Sequence, residues 1–297
     1  MTAETESRKV ARLEESAVAA PDIAAPVDEG IALLRSSCDV EGARPLRSAS
    51  GDSLAGSGGA VYEGTRRGVA AIAKLVHPVA DAEAEVAHMR LAAGPGVVEL
   101  LAAVPALGVI VTRRADGGDV VSYVNDHGAM YEAVARRVAL CVIRALRRLH
   151  RAGAVHNDLK PENILLSRPM GASRLSGLWD ACLADFGKAA RFLRQGTDRY
   201  MAPEARAAVA AAAAAARGHV DARLCDMYSV GAALYVALTG VALDGAAFDA
   251  ASFDAARSAS GRGRVSRNCV RALGALLAHD PADRPTAAAA LRLPWLA

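Results

Sequence analysis

An α+β fold, a small antiparallel sheet followed by a larger helical part, is what the sequence predicts, and three observations predict it. Up to about residue 112, short segments of alternating polarity are separated by glycine turns. After Tyr131 the apolar residues recur at helical spacing instead. The 297 residues, 53% of them apolar, suffice for one large domain or two lobes with a core.

Taken in order, residues 1–44 are rich in Ala, Pro, Glu and Ser without sustained periodicity, which predicts a flexible extension with no fold of its own. From Leu46 a strand leads into GDSLAGSGGAVYEG, and a second strand covers 68–76. Over 79–93, Val86, Met89 and Leu91 lie among charged residues in a helical texture that closes at Gly94-Pro95-Gly96. Strands at 97–104 and 107–112 come next, then a turn at Asp116-Gly117-Gly118. The long helix after Tyr131 carries Val134, Val138, Leu140, Val142, Ile143, Leu146 and Leu149 on its buried face. The uncharged stretch 229–243 is shorter than the about 20 residues a membrane span needs and reads as a buried helix. The alanine tract 205–216 reads as an inserted surface helix.

Composition excludes several classes of function. The net charge is only +3, with both signs mixed along the chain, so no nucleic-acid or membrane partner is expected. The apolar share is inflated by alanine, which buries little area, so it does not argue for a membrane protein. Cys38, Cys141, Cys182, Cys225 and Cys269 form no C-x-x-C pair, which argues against a disulfide framework or a zinc site. A reducing compartment, cytoplasmic or nuclear, is expected. The opening MTAETESRKV mixes acids with bases and leads into no apolar run, unlike a secretory signal.

The chemistry begins with the glycine run Gly56-Ser57-Gly58-Gly59-Ala60-Val61. Between two strands it either lets backbone N–H groups approach phosphate oxygens or makes an ordinary hairpin. Lys74 ends the alternating segment AAIAK, so its ammonium should stand on a sheet face beneath that loop. Glu85, in the following helix, is the partner expected to fix its reach, with Glu83 as the rival.

The most informative passage is HNDLKPENILL at 156–166, followed by ADFG at 184–187 and GTDRYMAPE at 196–204. In this order the three blocks resemble the eukaryotic-type serine/threonine protein kinase family, over about Leu46 to Leu296. The resemblance implies a two-lobed protein kinase-like fold: a small antiparallel-sheet lobe at 45–112, a hinge at 113–115 and a larger helical lobe at 116–297. It implies ATP and Mg2+ as cofactors and proteins with Ser/Thr acceptors as substrates. The alanine and arginine usage is also similar to that of serine/threonine kinases of large DNA viruses, although cellular and bacterial kinases share it.

In such a site Asp158 is the catalytic base, aiming the attacking hydroxyl and taking its proton late. Lys160 offsets charge on the transferred phosphoryl group, while Asn163 and Asp185 offer the hard oxygen ligands magnesium takes. By the same resemblance Leu54, Gly56 and Gly59 belong to the loop over the nucleotide, and Lys74, ordered by Glu85, holds its phosphates. Val61, Ala73 and Leu165 would sandwich the adenine, Thr112 would guard the back of its pocket, and Asp119 would contact the ribose side. His156, Phe186, Met89 and Leu100 would form a stack anchored by Asp226, and Glu204 with Arg284 a buried ion pair. Lys160 with Thr197 is the serine/threonine pattern, Thr197 bonding both Asp158 and Lys160.

The sequence also departs from that family. Leu54 stands where the first loop glycine is expected, and the short 74–85 segment predicts a helix trimmed at its start. Asn157 replaces the arginine that usually receives an activation-loop phosphate, and 188–196 contains no Ser, Thr or Tyr. Activity independent of phosphorylation in that segment is therefore expected. The longer 167–181 stretch reads as a surface insertion. Glu162 could attract an arginine near the acceptor, but Val236 stands where many arginine-directed kinases have an acid. A pseudokinase acting as a nucleotide-binding or scaffolding module is the alternative, set against by the presence of Lys74, Asp158, Asn163 and Asp185. A small-molecule kinase of the antibiotic-phosphorylating type is set against by GT-x-x-Y-x-APE.

Overall fold

Alternating side chains between residues 40 and 113 build a five-stranded antiparallel sheet in the computed structural model, which describes residues 27–46, 59–167, 181–191, 193, 196–211, 220–243 and 247–297. The strands are β1 (Val40–Pro45), β2 (Gly59–Arg66), β3 (Val69–Val76), β4 (Leu100–Val104) and β5 (Val109–Arg113), in the order β1-β2-β3-β5-β4. Arg67 and Gly68 close the β2–β3 hairpin with φ of 50° and 76°, the left-handed pair that matches strand twist.

The period of two sorts the residues between the faces of this sheet. Ala71, Ala73 and Leu75 of β3 join Val40, Tyr62, Val104, Leu107, Val109 and Val111 in one core. That core is closed by a helix the sequence reading had not found: α1 (Val27–Cys38), whose Leu34 and Cys38 are fully buried in it. The expectation of a flexible extension to residue 44 is thus corrected for 27–44, and residues 1–26 lie outside the described residues. The physical reason is that α1 takes its stability from the sheet and not from its own weak apolar stripe. At Gly30 a Cβ would stand 2.3 Å from the Tyr62 hydroxyl, so glycine lets the helix approach that closely.

The remaining elements are mainly helical: α2 (Val79–Ala92), α3 (Val120–His127), α4 (Glu132–Arg151), α5 (Pro203–Ala210), α6 (Ala222–Thr239), α7 (Ala250–Ala259), α8 (Arg267–Leu276) and α9 (Ala287–Ala290). A two-stranded antiparallel ribbon pairs β6 (Ile164–Leu166) with β7 (Ala181–Leu183). α6 is buried along nearly its whole length, as the uncharged stretch led us to expect, and packs against α4, α7 and α8. α4 buries Val138, Val142, Ile143, Leu146 and Leu149 as expected, with Val134 and Leu140 only half-buried.

The alanine tract is divided. Its first part is α5, where Ala205 and Ala208 are buried, so these residues belong to the body and not to an inserted surface helix. Residues 212–219 lie outside the described residues, as does most of the expected 167–181 insertion. No described helix is long and apolar enough to cross a membrane. The chain divides into two compact units, one holding Glu99–Arg114 with the described residues up to Met89, the other Arg90–Val98 with those from Ala115 onward.

Replacing fully buried Leu34 by Ala should cost about 3 kcal/mol of unfolding free energy by leaving a cavity under the sheet. Urea denaturation monitored by circular dichroism measures it. A midpoint equal to that of the parent would show that α1 is not part of the core.

Candidate active site

In the helical unit the site is built around a buried carboxylate, Asp226 on α6, only 2% exposed. Its Oδ2 accepts hydrogen bonds from the His156 backbone N–H and His150 Nε2, each at 2.8 Å, and its Oδ1 accepts from the Asn157 N–H at 3.0 Å. These bonds compensate its desolvation and fix the backbone entering Asp158. Asn157 itself takes a left-handed φ of 65°. His156 and Phe186, both fully buried, meet edge-to-face at 5.1 Å, which ties the loop to the segment after β7.

Asp158 follows, 4% exposed. Its Oδ1 accepts a hydrogen bond from Thr197 Oγ1 at 2.7 Å, and Lys160 Nζ lies 3.5 Å from Oδ2 and 3.4 Å from Thr197 Oγ1. The sequence-derived trio of Asp158, Lys160 and Thr197 is therefore one cluster. Thr197 can reach Asp158 because the preceding residue is glycine: a Cβ on Gly196 would stand 2.3 Å from the Asn157 carbonyl oxygen.

Five residues after Asp158, Asn163 donates from Nδ2 to the Asp158 carbonyl oxygen at 2.8 Å, which leaves its amide oxygen directed away. The Ala184 N–H bonds the Asn163 carbonyl at 2.9 Å, next to the β6–β7 pairing, and so brings Asp185 alongside Asn163. Asp185 has a left-handed φ of 58°. An amide oxygen and a carboxylate carried on hydrogen-bonded neighbouring segments suit a hard divalent cation such as magnesium.

Lys188 was not singled out from the sequence as part of the site. Its Nζ lies 3.4 Å from Asp158 Oδ2, and its carbonyl accepts a hydrogen bond from Asn157 Nδ2 at 3.0 Å. The sequence signal was only a lysine directly after Asp185-Phe186-Gly187.

Leu165 is half-buried between the fully covered Ile164 and Leu166, and Asp119 bridges its backbone. The Asp119 carboxylate caps α3, accepting from the Ser122 N–H at 2.8 Å and the Ser122 hydroxyl at 3.0 Å. The expected ion pair of Glu204 with Arg284 is present at 2.7 Å, Arg284 being 3% exposed.

In the sheet unit Lys74 meets Glu85, with Nζ 3.0 Å from Oε2 and 3.3 Å from Oε1. Glu85 lies on the face of α2 that buries Ala82, Val86 and Met89, whereas the rival Glu83 is exposed. Val61 and Ile110 flank Lys74 across the strands, and Thr112 pairs with Ile72, so all share its face. Ala73 does not: paired with Tyr62 and Val111, it points into the core under α1, which corrects its assignment to the adenine sandwich. Neighbours in a strand face opposite ways, so Ile72 is the β3 residue sharing the face of Lys74. Gly59 pairs with Val76 at the end of β2, while Leu54 and Gly56 lie outside the described residues.

Residues 55–296 match the protein kinase domain family, and the chain belongs to it. It is 31% identical to serine/threonine-protein kinase RAD53 of Saccharomyces cerevisiae over 203 residues, 63% of this chain and 24% of that protein. It is 33% identical to serine/threonine-protein kinase ULK1 of Homo sapiens over 139 residues, 44% of this chain and 12% of that protein. To serine/threonine-protein kinase PKZ1 of Phytophthora infestans it is 32% identical over 211 residues, 63% of this chain and 50% of that protein. The chain thus spans half or less of these relatives. Its fold is similar to a crystal structure of the Rad53 kinase domain and SCD2 in complex with AMPPNP, with TM-score 0.58 and 25% identity over 80% of this chain and 86% of that one.

Burial is the largest single influence on Glu204 and opposes its ionisation. The Arg284 hydrogen bond and charge, with a backbone hydrogen bond, outweigh it and hold the carboxyl below its ordinary 4.5. A depressed carboxyl stabilises the fold above its unfolded value, and the contribution is lost as pH falls through the folded one. Unfolding free energy should therefore decline below about pH 4.5 less steeply in Glu204→Gln than in the parent. Urea titrations across that range check it, and equal slopes would contradict the assignment.

Proposed function

We propose that this chain is an ATP-dependent serine/threonine protein kinase, transferring the γ-phosphoryl group to protein hydroxyls. The observation that carries this reading is the Thr197–Asp158 hydrogen bond of 2.7 Å with Lys160 beside both, a carboxylate held for a small alcohol. The match to the protein kinase domain family and the likeness to a kinase domain complexed with AMPPNP support it.

The acceptor hydroxyl donates its hydrogen to the Asp158 carboxylate. Its oxygen bonds to the γ-phosphorus as the bond to the β–γ bridging oxygen breaks, and ADP leaves. The proton passes to Asp158 late, and the ammonium of Lys160 offsets charge on the phosphoryl oxygens. Lys74, oriented by Glu85, is the cation for nucleotide phosphates in the sheet unit. Asn163 and Asp185 would hold magnesium, which neutralises the triphosphate when bound. The buried bond from Ser229 Oγ to the Tyr200 carbonyl, 2.8 Å, anchors the segment that carries Thr197.

Replacing Asp158 by Ala should lower turnover by about a thousandfold while nucleotide affinity changes only a few-fold, since this contact strengthens in the transition state. Transfer of labelled phosphate and nucleotide titration measure the two quantities. An unchanged rate would remove Asp158 from the role of base. Nucleotide binding without transfer by the parent would identify a binding module instead.

We further propose that activity needs no phosphate in the 188–196 segment. Asn157 Nδ2 holds the Lys188 carbonyl directly, and Val155 and Ala190 exchange backbone hydrogen bonds at 2.8 and 3.1 Å. Phosphatase-treated protein should keep its full rate. Loss of activity on phosphatase treatment would refute the proposal.

A further inference from the structure

Two ammonium groups stand on one oxygen of the catalytic carboxylate, and the proposed phosphoryl transfer uses only one of them. Lys160 lies 3.5 Å from Asp158 Oδ2 and 3.4 Å from Thr197 Oγ1, with its side chain 23% exposed. Lys188 lies 3.4 Å from the same Oδ2, likewise longer than a good charged hydrogen bond, and its side chain is the more open of the two, 42% exposed. Its backbone, by contrast, is fixed: Asn157 grips its carbonyl, Asp226 holds the Asn157 N–H, and the Val155–Ala190 pair follows two residues on. A cation on a flexible four-carbon stem is thus rooted beside Asp158 with its head free to exchange partners.

An acceptor hydroxyl needs a carboxylate oxygen. Oδ1 is engaged by Thr197 at 2.7 Å, so the open approach is to Oδ2, where Lys188 competes. An anionic side chain next to the acceptor would offer this lysine a second partner and draw it off the base. A neutral neighbour offers no such exchange, and a cationic one adds repulsion. Exposed Glu162 is the opposing charge in this region, so the arginine arm of the test below is needed to weigh the two.

We propose that Lys188 is a specificity-determining residue that favours acceptors flanked directly by an anion, whether Asp, Glu or an already phosphorylated residue. This rests on the reading of Asp158 as the base of a kinase, so the two must be able to fail separately.

The test uses the full chain and synthetic peptides with a single serine acceptor flanked on both sides by Ala, Glu, phosphoserine or Arg, with kcat/KM measured for each. The Glu peptide should exceed the Ala peptide by about fivefold and the Arg peptide should fall below it, the scale of a partly exposed charge pair. The phosphoserine peptide separates a phosphate preference from a carboxylate preference, and an advantage of either over Ala supports the proposal. Lys188→Met should remove the preference and raise kcat/KM for the Ala peptide, whereas Lys188→Arg should keep the preference. A parent that ignores the flanking charge, or a Lys188→Met variant that still prefers Glu, overturns the proposal and leaves the kinase reading intact. A parent that binds nucleotide but phosphorylates none of the four overturns the kinase reading and this inference with it.

Discussion

The arrangement around Asp158 depends on one other carboxylate, which is almost fully buried. Asp226 sits in α6, where nearly every other residue is apolar, and its charge is tolerable there only because three donors converge on it. Satisfying it positions the His156–Asn157 backbone, sets Asn157 in a left-handed conformation and so aims Asp158. The edge-to-face contact of His156 with Phe186 carries the same constraint to the segment bearing Asp185 and Lys188. Loss of this single buried charge would loosen every group around Asp158 at once.

Charge is handled differently in the two units. In the sheet unit one lysine is matched by one buried glutamate, so Lys74 has a defined reach. In the helical unit Asp158 faces two ammonium groups, those of Lys160 and Lys188, a local excess of positive charge.

Much of this was legible in the sequence because the chemistry is local. Asp158 and Asn163 are five residues apart and joined by a side chain to backbone bond, so one motif encodes both positions. Glu85 over Glu83 was legible through helix phase, since only Glu85 shares the face of Val86 and Met89. Ala73 was misassigned although the information was present: a strand alternates, and the neighbour of Lys74 has to face away from it. Helix α1 and Lys188 were illegible for another reason. α1 has a weak stripe of its own and packs toward Tyr62 and Leu75, residues far along the chain. The partner of Lys188 is likewise 30 positions away, beyond any local pattern.

The central claim is that Asn163 and Asp185, beside Asp158, hold the metal of a bound nucleotide. A crystal structure with magnesium and a non-hydrolysable ATP analogue tests it most directly. Expected is a metal ion about 2.1 Å from the Asn163 amide oxygen and an Asp185 carboxylate oxygen, its shell completed by the triphosphate and water. A nucleotide whose metal stands apart from Asn163 and Asp185 would contradict the claim.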